Sequence, residues 1–136
     1  MTYLVFFAAP ILLTLVLILA VATDPGTRWR IQSRKAAERR GIALLQSWLT
    51  PEQAQQWDAR GEFEVIGCDT GTRYLITRGK MMNVLQLDRT GKAVAEWCFR
   101  PEGKLAVGDV LLAQKIALEK MESRALALAN TQSHRG

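Results

Sequence analysis

The apolar and polar positions of this chain change period along its length. From Tyr3 to Ala22 the run YLVFFAAPILLTLVLILAVA is apolar almost without a break, and Met1–Thr23 contains no charged side chain. About 20 residues at about 1.5 Å per residue cover about 30 Å, the thickness of a bilayer's hydrocarbon core. The first 23 residues are therefore expected to form a transmembrane anchor.

Helical periodicity follows. Asp24-Pro25-Gly26 reads as a turn at the membrane surface, and SRKAAERRGIALLQSWL, from Ser33 to Leu49, reads as an amphipathic helix that is basic first and apolar later. Gly41 weakens this helix and marks a kink or the start of its packed half. Thr50 as N-cap, Pro51 at the first helical position, Glu52 in the first turn and Gln53 placed for a capping box announce a second helix. It ends near Arg60 and Gly61, with Trp57 as its core anchor, and the two helices make a hairpin.

The period then falls to two. Phe63 and Val65 alternate with glutamates, Tyr74 and Ile76 alternate with Arg73, Leu75 and Thr77, and further runs pass Met82 and Val84, then Trp97 and Phe99. Asp69-Thr70-Gly71, Gly79-Lys80 and Asp88-Arg89-Thr90-Gly91-Lys92 supply turns, giving an antiparallel meander of four short strands. Such a sheet needs a cover on one face. The cover is a last helix, with Asp109 as N-cap and a stripe of Leu111, Leu118, Met121, Ala125 and Leu128, flanked by Leu112 and Ile116. The expected fold class is α+β: an N-terminal transmembrane helix, a helical hairpin, a four-stranded antiparallel meander and a covering C-terminal helix. The expected divisions are an anchor (1–23), a basic juxtamembrane segment (24–40), a small domain (41–130) and a frayed tail (131–136).

Charge orients this arrangement. The net charge of +5 is concentrated beside the anchor, where Arg28, Arg30, Arg34, Lys35, Arg39 and Arg40 face only Asp24 and Glu38. Beyond Gly41, 12 basic residues meet 11 acidic ones. Basic residues close to a spanning helix stay on the cytoplasmic side, so the N-terminus is expected outside and the domain in the cytoplasm, at a cell's inner membrane. Arg28, Trp29, Arg30, Arg34 and Lys35 are the expected contacts to lipid headgroups. A domain this near neutrality lacks the basic face that nucleic-acid binding requires. A rival reading is a signal peptide cleaved after Ala20-Val21-Ala22, although no positive residue precedes the apolar run and Arg28 and Arg30 follow closely. Compartment sets the cysteines: Cys68 and Cys98 are thiols in the cytoplasm and a possible disulfide if exported.

Candidate chemistry is sparse. Asp69-Thr70-Gly71 matches the catalytic tripeptide of aspartic proteases, which bring two such aspartates together, so this chain would have to dimerise. Gly67-Cys68 before it, Thr72 after it and the short distance to Gly108 fit a hairpin turn better. Cys98, between Trp97 and Phe99, reads as a small buried hydrophobe. Two cysteines and His134 lack metal-site spacing, and no phosphate-binding glycine loop occurs, so neither metal nor cofactor is expected. The residues expected to contact a partner are Arg73, Tyr74, Arg78 and Lys80 on one hairpin, with Asn83 close by.

The segment 61–119 carries a distinctive series: Gly61-Glu62-Phe63-Glu64-Val65-Ile66-Gly67, Thr70-Gly71-Thr72-Arg73-Tyr74, Asn83-Val84, Leu87-Asp88, Trp97-Cys98-Phe99-Arg100-Pro101-Glu102-Gly103, and Gly108-Asp109-Val110-Leu111-Leu112-Ala113-Gln114-Lys115. It resembles a group of short, uncharacterised bacterial proteins. The resemblance implies a discrete domain and brings no activity, cofactor or catalytic residue. The function expected from the sequence is binding or scaffolding of a protein partner at the cytoplasmic membrane face, with export after cleavage or a dimeric protease using Asp69 as alternatives.

Overall fold

The computed structural model describes residues 11–20, 24–79 and 81–133, the last three by backbone only. The chain divides into two units, Met1–Ala37 and Glu38–Gly136.

The first unit contains α1 (Ile11–Ala20) and the start of α2 (Pro25–Trp48). The side chains of α1 are exposed, Leu12 at 69%. Among the described residues no single helix is long and apolar enough to cross a membrane. The ends of the expected anchor, 1–10 and 21–23, lie outside them. The surface turn expected at Asp24-Pro25-Gly26 is instead a helix start. Asp24 Oδ2 accepts the Thr27 amide at 2.8 Å, and Pro25, which has no N–H to satisfy, occupies the first helical position.

The second unit begins inside α2, which runs on through Gly41 as helix. Gly41 therefore serves packing. A Cβ on Gly108 would lie 2.1 Å from the Gly41 carbonyl carbon, so two glycines let the backbones of α2 and the last helix touch. The second helix, α3 (Pro51–Arg60), forms as its capping signals require. Thr50 Oγ1 accepts the Gln53 amide at 3.2 Å, the Gln53 side chain accepts the Thr50 amide at 3.1 Å, and Gly61 closes the helix at φ 69°.

The sheet follows as β1 (Glu62–Ile66), β2 (Arg73–Thr77), β3 (Val84–Leu87) and β4 (Ala93–Cys98), each antiparallel to the one before. Phe63 pairs with Ile76 and Val65 with Tyr74, which puts the large apolar residues of β1 and β2 on one face. That face is covered by α4 (Val107–Ala127), whose Leu111, Leu112 and Leu118 join Leu45, Trp57 and Val84 in one core.

Three expectations for the end of the chain need correction. The helix α4 starts at Val107, two residues before Asp109, and the Val107 amide is capped by the Glu38 carboxylate of α2 at 2.9 Å. Met121 has non-helical angles (φ −153°, ψ 45°), so the phase of the stripe shifts there. Met121 and Leu128 are 47% and 79% exposed, and Gln114 and Glu122 are fully buried. The tail is not frayed as far as Ser133: Asn130–Ser133 forms β5, antiparallel to β4. Backbone pairing satisfies an open sheet edge whatever the side chains, so a polar segment serves.

Candidate functional site

The densest polar constellation lies where the β1–β2 loop meets the break in α4. In an unbroken helix the Glu122 amide would donate to the Leu118 carbonyl. Here the Leu118 carbonyl accepts the Cys68 amide at 3.0 Å, and the Glu122 amide donates to Cys68 Sγ at 3.5 Å. Cys68 thus occupies both ends of the missing rung. The next amide, that of Ser123, donates to Asp69 Oδ2 at 2.9 Å, and Ser123 Oγ donates to the same oxygen at 2.6 Å. Asp69 caps the last turns of α4 much as an N-cap residue begins a helix.

The helix answers in kind. Glu122 Oε2 accepts the Asp69 and Thr70 amides at 2.7 and 2.9 Å, and Oε1 accepts Thr70 Oγ1 at 2.5 Å and the Tyr74 hydroxyl at 2.8 Å. Gly67 is required beside it, because a Cβ there would lie 2.3 Å from the Glu122 carboxyl carbon. Gly71 closes the loop at φ 69°, in the left-handed region.

These contacts fix the charge states. Burial pushes the Glu122 carboxyl up, but the hydrogen bonds from Thr70, Tyr74 and the two loop amides outweigh it and hold the group below the usual glutamate range. The Ser123 hydroxyl, then the Ser123 amide and Cys68, hold Asp69 low. Burial first, and the hydrogen bond to the Glu122 carboxylate next, raise the Tyr74 phenol. One ligand atom each from Cys68, Asp69 and Glu122 lies within 4.8 Å of the others, a spacing that metal sites share. Both oxygens of Glu122 and of Asp69 already accept hydrogen bonds from the protein. The arrangement is a latch, a buried carboxylate and a loop carboxylate each satisfying the other segment's amides.

The residues expected to contact a partner have separate engagements. Arg73 binds Glu64 with two nitrogens, Nε to Oε2 at 3.0 Å and Nη2 to Oε1 at 2.9 Å. Tyr74 and Asn83 are corrections: they are 1% and 3% exposed, Tyr74 because its ring lies on the core face, and Asn83 because it pairs with the Gln114 amide at 2.8 and 2.9 Å. Arg78 lies 5.9 Å over the Trp57 ring, and Lys80 lies outside the described residues. The expected headgroup contacts Arg28, Trp29, Arg30, Arg34 and Lys35 are all exposed on α2. Asp69 has the capping role above, and Cys68 and Cys98 are free thiols.

A stripe defined by apolar positions alone leaves out Glu122 and Gln114. The available signal was their spacing: Leu111, Gln114, Leu118, Glu122 and Ala125 recur at helical intervals, and a lone carboxylate in such a row asks for buried donors. No protein-family model, curated protein or solved structure matches this chain.

Proposed function

We propose that this chain is a single-pass inner-membrane protein, anchored by its charge-free N-terminal run, whose small α+β domain binds a protein partner at the cytoplasmic face. The observation that carries this reading is the half of α2 that follows the apolar run. Arg28, Arg30, Arg34 and Lys35 are exposed there beside Trp29, which is 69% exposed, and the acidic Asp24 is used as the helix cap. Each basic side chain near an anionic leaflet contributes about 1 kcal/mol, and tryptophan favours the interface.

The surface best suited to a partner is the β2–β3 corner. Arg78 and Thr77 border a cleft of about 430 Å³ with Arg60 and Met82, and Met81 beside it is 79% exposed. Met82 holds φ 56°, a left-handed conformation rare outside glycine and associated with functional turns. Methionines repack readily against a partner. Arg78 is the expected contact residue that this surface retains.

Thiol labelling tests the topology. Cys68 is exposed in the domain, so a membrane-impermeant maleimide should label it in inside-out vesicles and not in intact cells, with Met1 retained by mass spectrometry. Labelling in intact cells, or a new N-terminus after Ala22, would establish the exported reading instead.

A further inference from the structure

We propose that a second cavity, between α4 and the exit of β4, binds a single-chain aliphatic anion of the fatty-acid type. The cavity measures about 510 Å³, within the range of small-ligand sites. Apolar side chains dominate its lining: Ala113, Ala117 and Met121 from α4, Leu128 just past the end of α4, and Phe99. Gln114 at its floor offers nothing further to a ligand, because its amide is taken by Asn83 and by the Phe99 carbonyl at 2.9 Å. Such a lining suits an alkyl chain and gives a nucleotide or sugar few partners.

Its charges have one sign. Arg100 enters from the β4 exit and Arg124 from α4, no acidic side chain lines the cavity, and among the described residues neither arginine has an ion pair. Guanidinium groups pair with carboxylates through parallel hydrogen bonds, so two arginines beside an apolar trough fit an acyl carboxylate. An extended peptide fits poorly, because β5 already occupies the free edge of β4. Met121, at the break in α4, and Leu128 are exposed and line the cavity. The inference rests on this cavity alone and stands whether or not the chain is anchored.

Two cysteines make the test internal. Cys98 lines the cavity and Cys68 lies in the β1–β2 loop. In the full chain held in amphipol, dodecanoate at ten times its Kd should slow alkylation of Cys98 about tenfold and leave Cys68 unchanged. Replacing Arg100 or Arg124 with alanine should raise the dodecanoate concentration needed about threefold each, an exposed ion pair's worth. Ala117→Trp should abolish protection, with the thermal melt of each variant showing that the fold is kept. The proposal is overturned by equal slowing of both cysteines, by equal protection from dodecanol, by protection that survives loss of both arginines, or by protection from diacyl phosphatidylglycerol vesicles and not from dodecanoate.

Discussion

Glu122 and Gln114 lie eight residues apart on α4, both fully buried, and they solve the same problem in opposite ways. Gln114 is neutral, and its amide meets the Asn83 amide head to head and the Phe99 carbonyl, so every group is matched without charge. Glu122 is a carboxylate with four donors arranged around it, three of them from the loop between β1 and β2. The amide pair fixes α4 against the sheet at any pH. The carboxylate fixes a loop and a helix break as well, but only while it is ionised.

The largest effect should come from removing that charge while keeping its shape. Glu122→Gln keeps one acceptor oxygen: an NH2 at the Oε2 position opposes the Asp69 and Thr70 amides, and an NH2 at the Oε1 position removes the acceptor of the Thr70 and Tyr74 hydroxyls. About 3 kcal/mol of stability should be lost in denaturant titration. Gly67→Ala should follow at about 2 kcal/mol, because its Cβ meets the carboxylate. The pair is coupled. In a Glu122→Ala background, Gly67→Ala should cost little, and a double-mutant cycle showing simple additivity would refute the steric account. Gln114→Leu should cost less, about 1.5 kcal/mol, since it strands only the Asn83 amide and one carbonyl.

The comparison also shows what the sequence could and could not reveal. The capping box at Thr50 and Gln53, the alternation in β1 and β2 and the turn at Asp88, where Asp88 Oδ1 accepts the Thr90 amide at 2.8 Å, are local devices and were legible from neighbouring residues. The rung replaced by Cys68, the cap that Glu38 places on Val107 and the contact of Gly41 with Gly108 join residues 50 or more positions apart, and no periodicity encodes them. A regular stripe assumes a regular helix, and the non-helical angles of Met121 interrupt that stripe before Leu128. Alternation with Ile76 puts Tyr74 on the core face, and only the partner of its hydroxyl, Glu122, 48 positions away, is beyond the reach of that pattern.

Acid should separate the two networks. Glu122 and Asp69 are held below the ordinary carboxylate range in the folded chain, so their stabilisation is complete above that range and is lost as pH falls through their folded values. Melting curves should therefore be flat near neutrality and drop below about pH 4. The Gln114→Leu variant should retain that drop, shifted down uniformly, while Glu122→Gln should flatten it. An unchanged acid slope in Glu122→Gln would place the sensitivity elsewhere, Asp88 being the next carboxylate held low, chiefly by the Thr90 hydroxyl.

The smallest expected effect is the most informative about chemistry. Asp69 faces the Ser123 amide and hydroxyl through one oxygen, and asparagine can present an oxygen in the same place. Asp69→Asn should therefore leave the melt close to that of the parent at neutral pH, whereas Asp69→Ala, which removes the cap, should lower it measurably though less than Gln114→Leu. A protease built on this residue predicts no discrimination between the two. A proton-sharing aspartate pair fails with asparagine as completely as with alanine, because neither side chain can ionise. Measuring the two variants side by side, by melting and by their phenotype in cells, separates the cap from the catalyst: a phenotype lost equally in both with stability kept in Asp69→Asn would point to catalysis, and a phenotype that tracks the melt points to the latch.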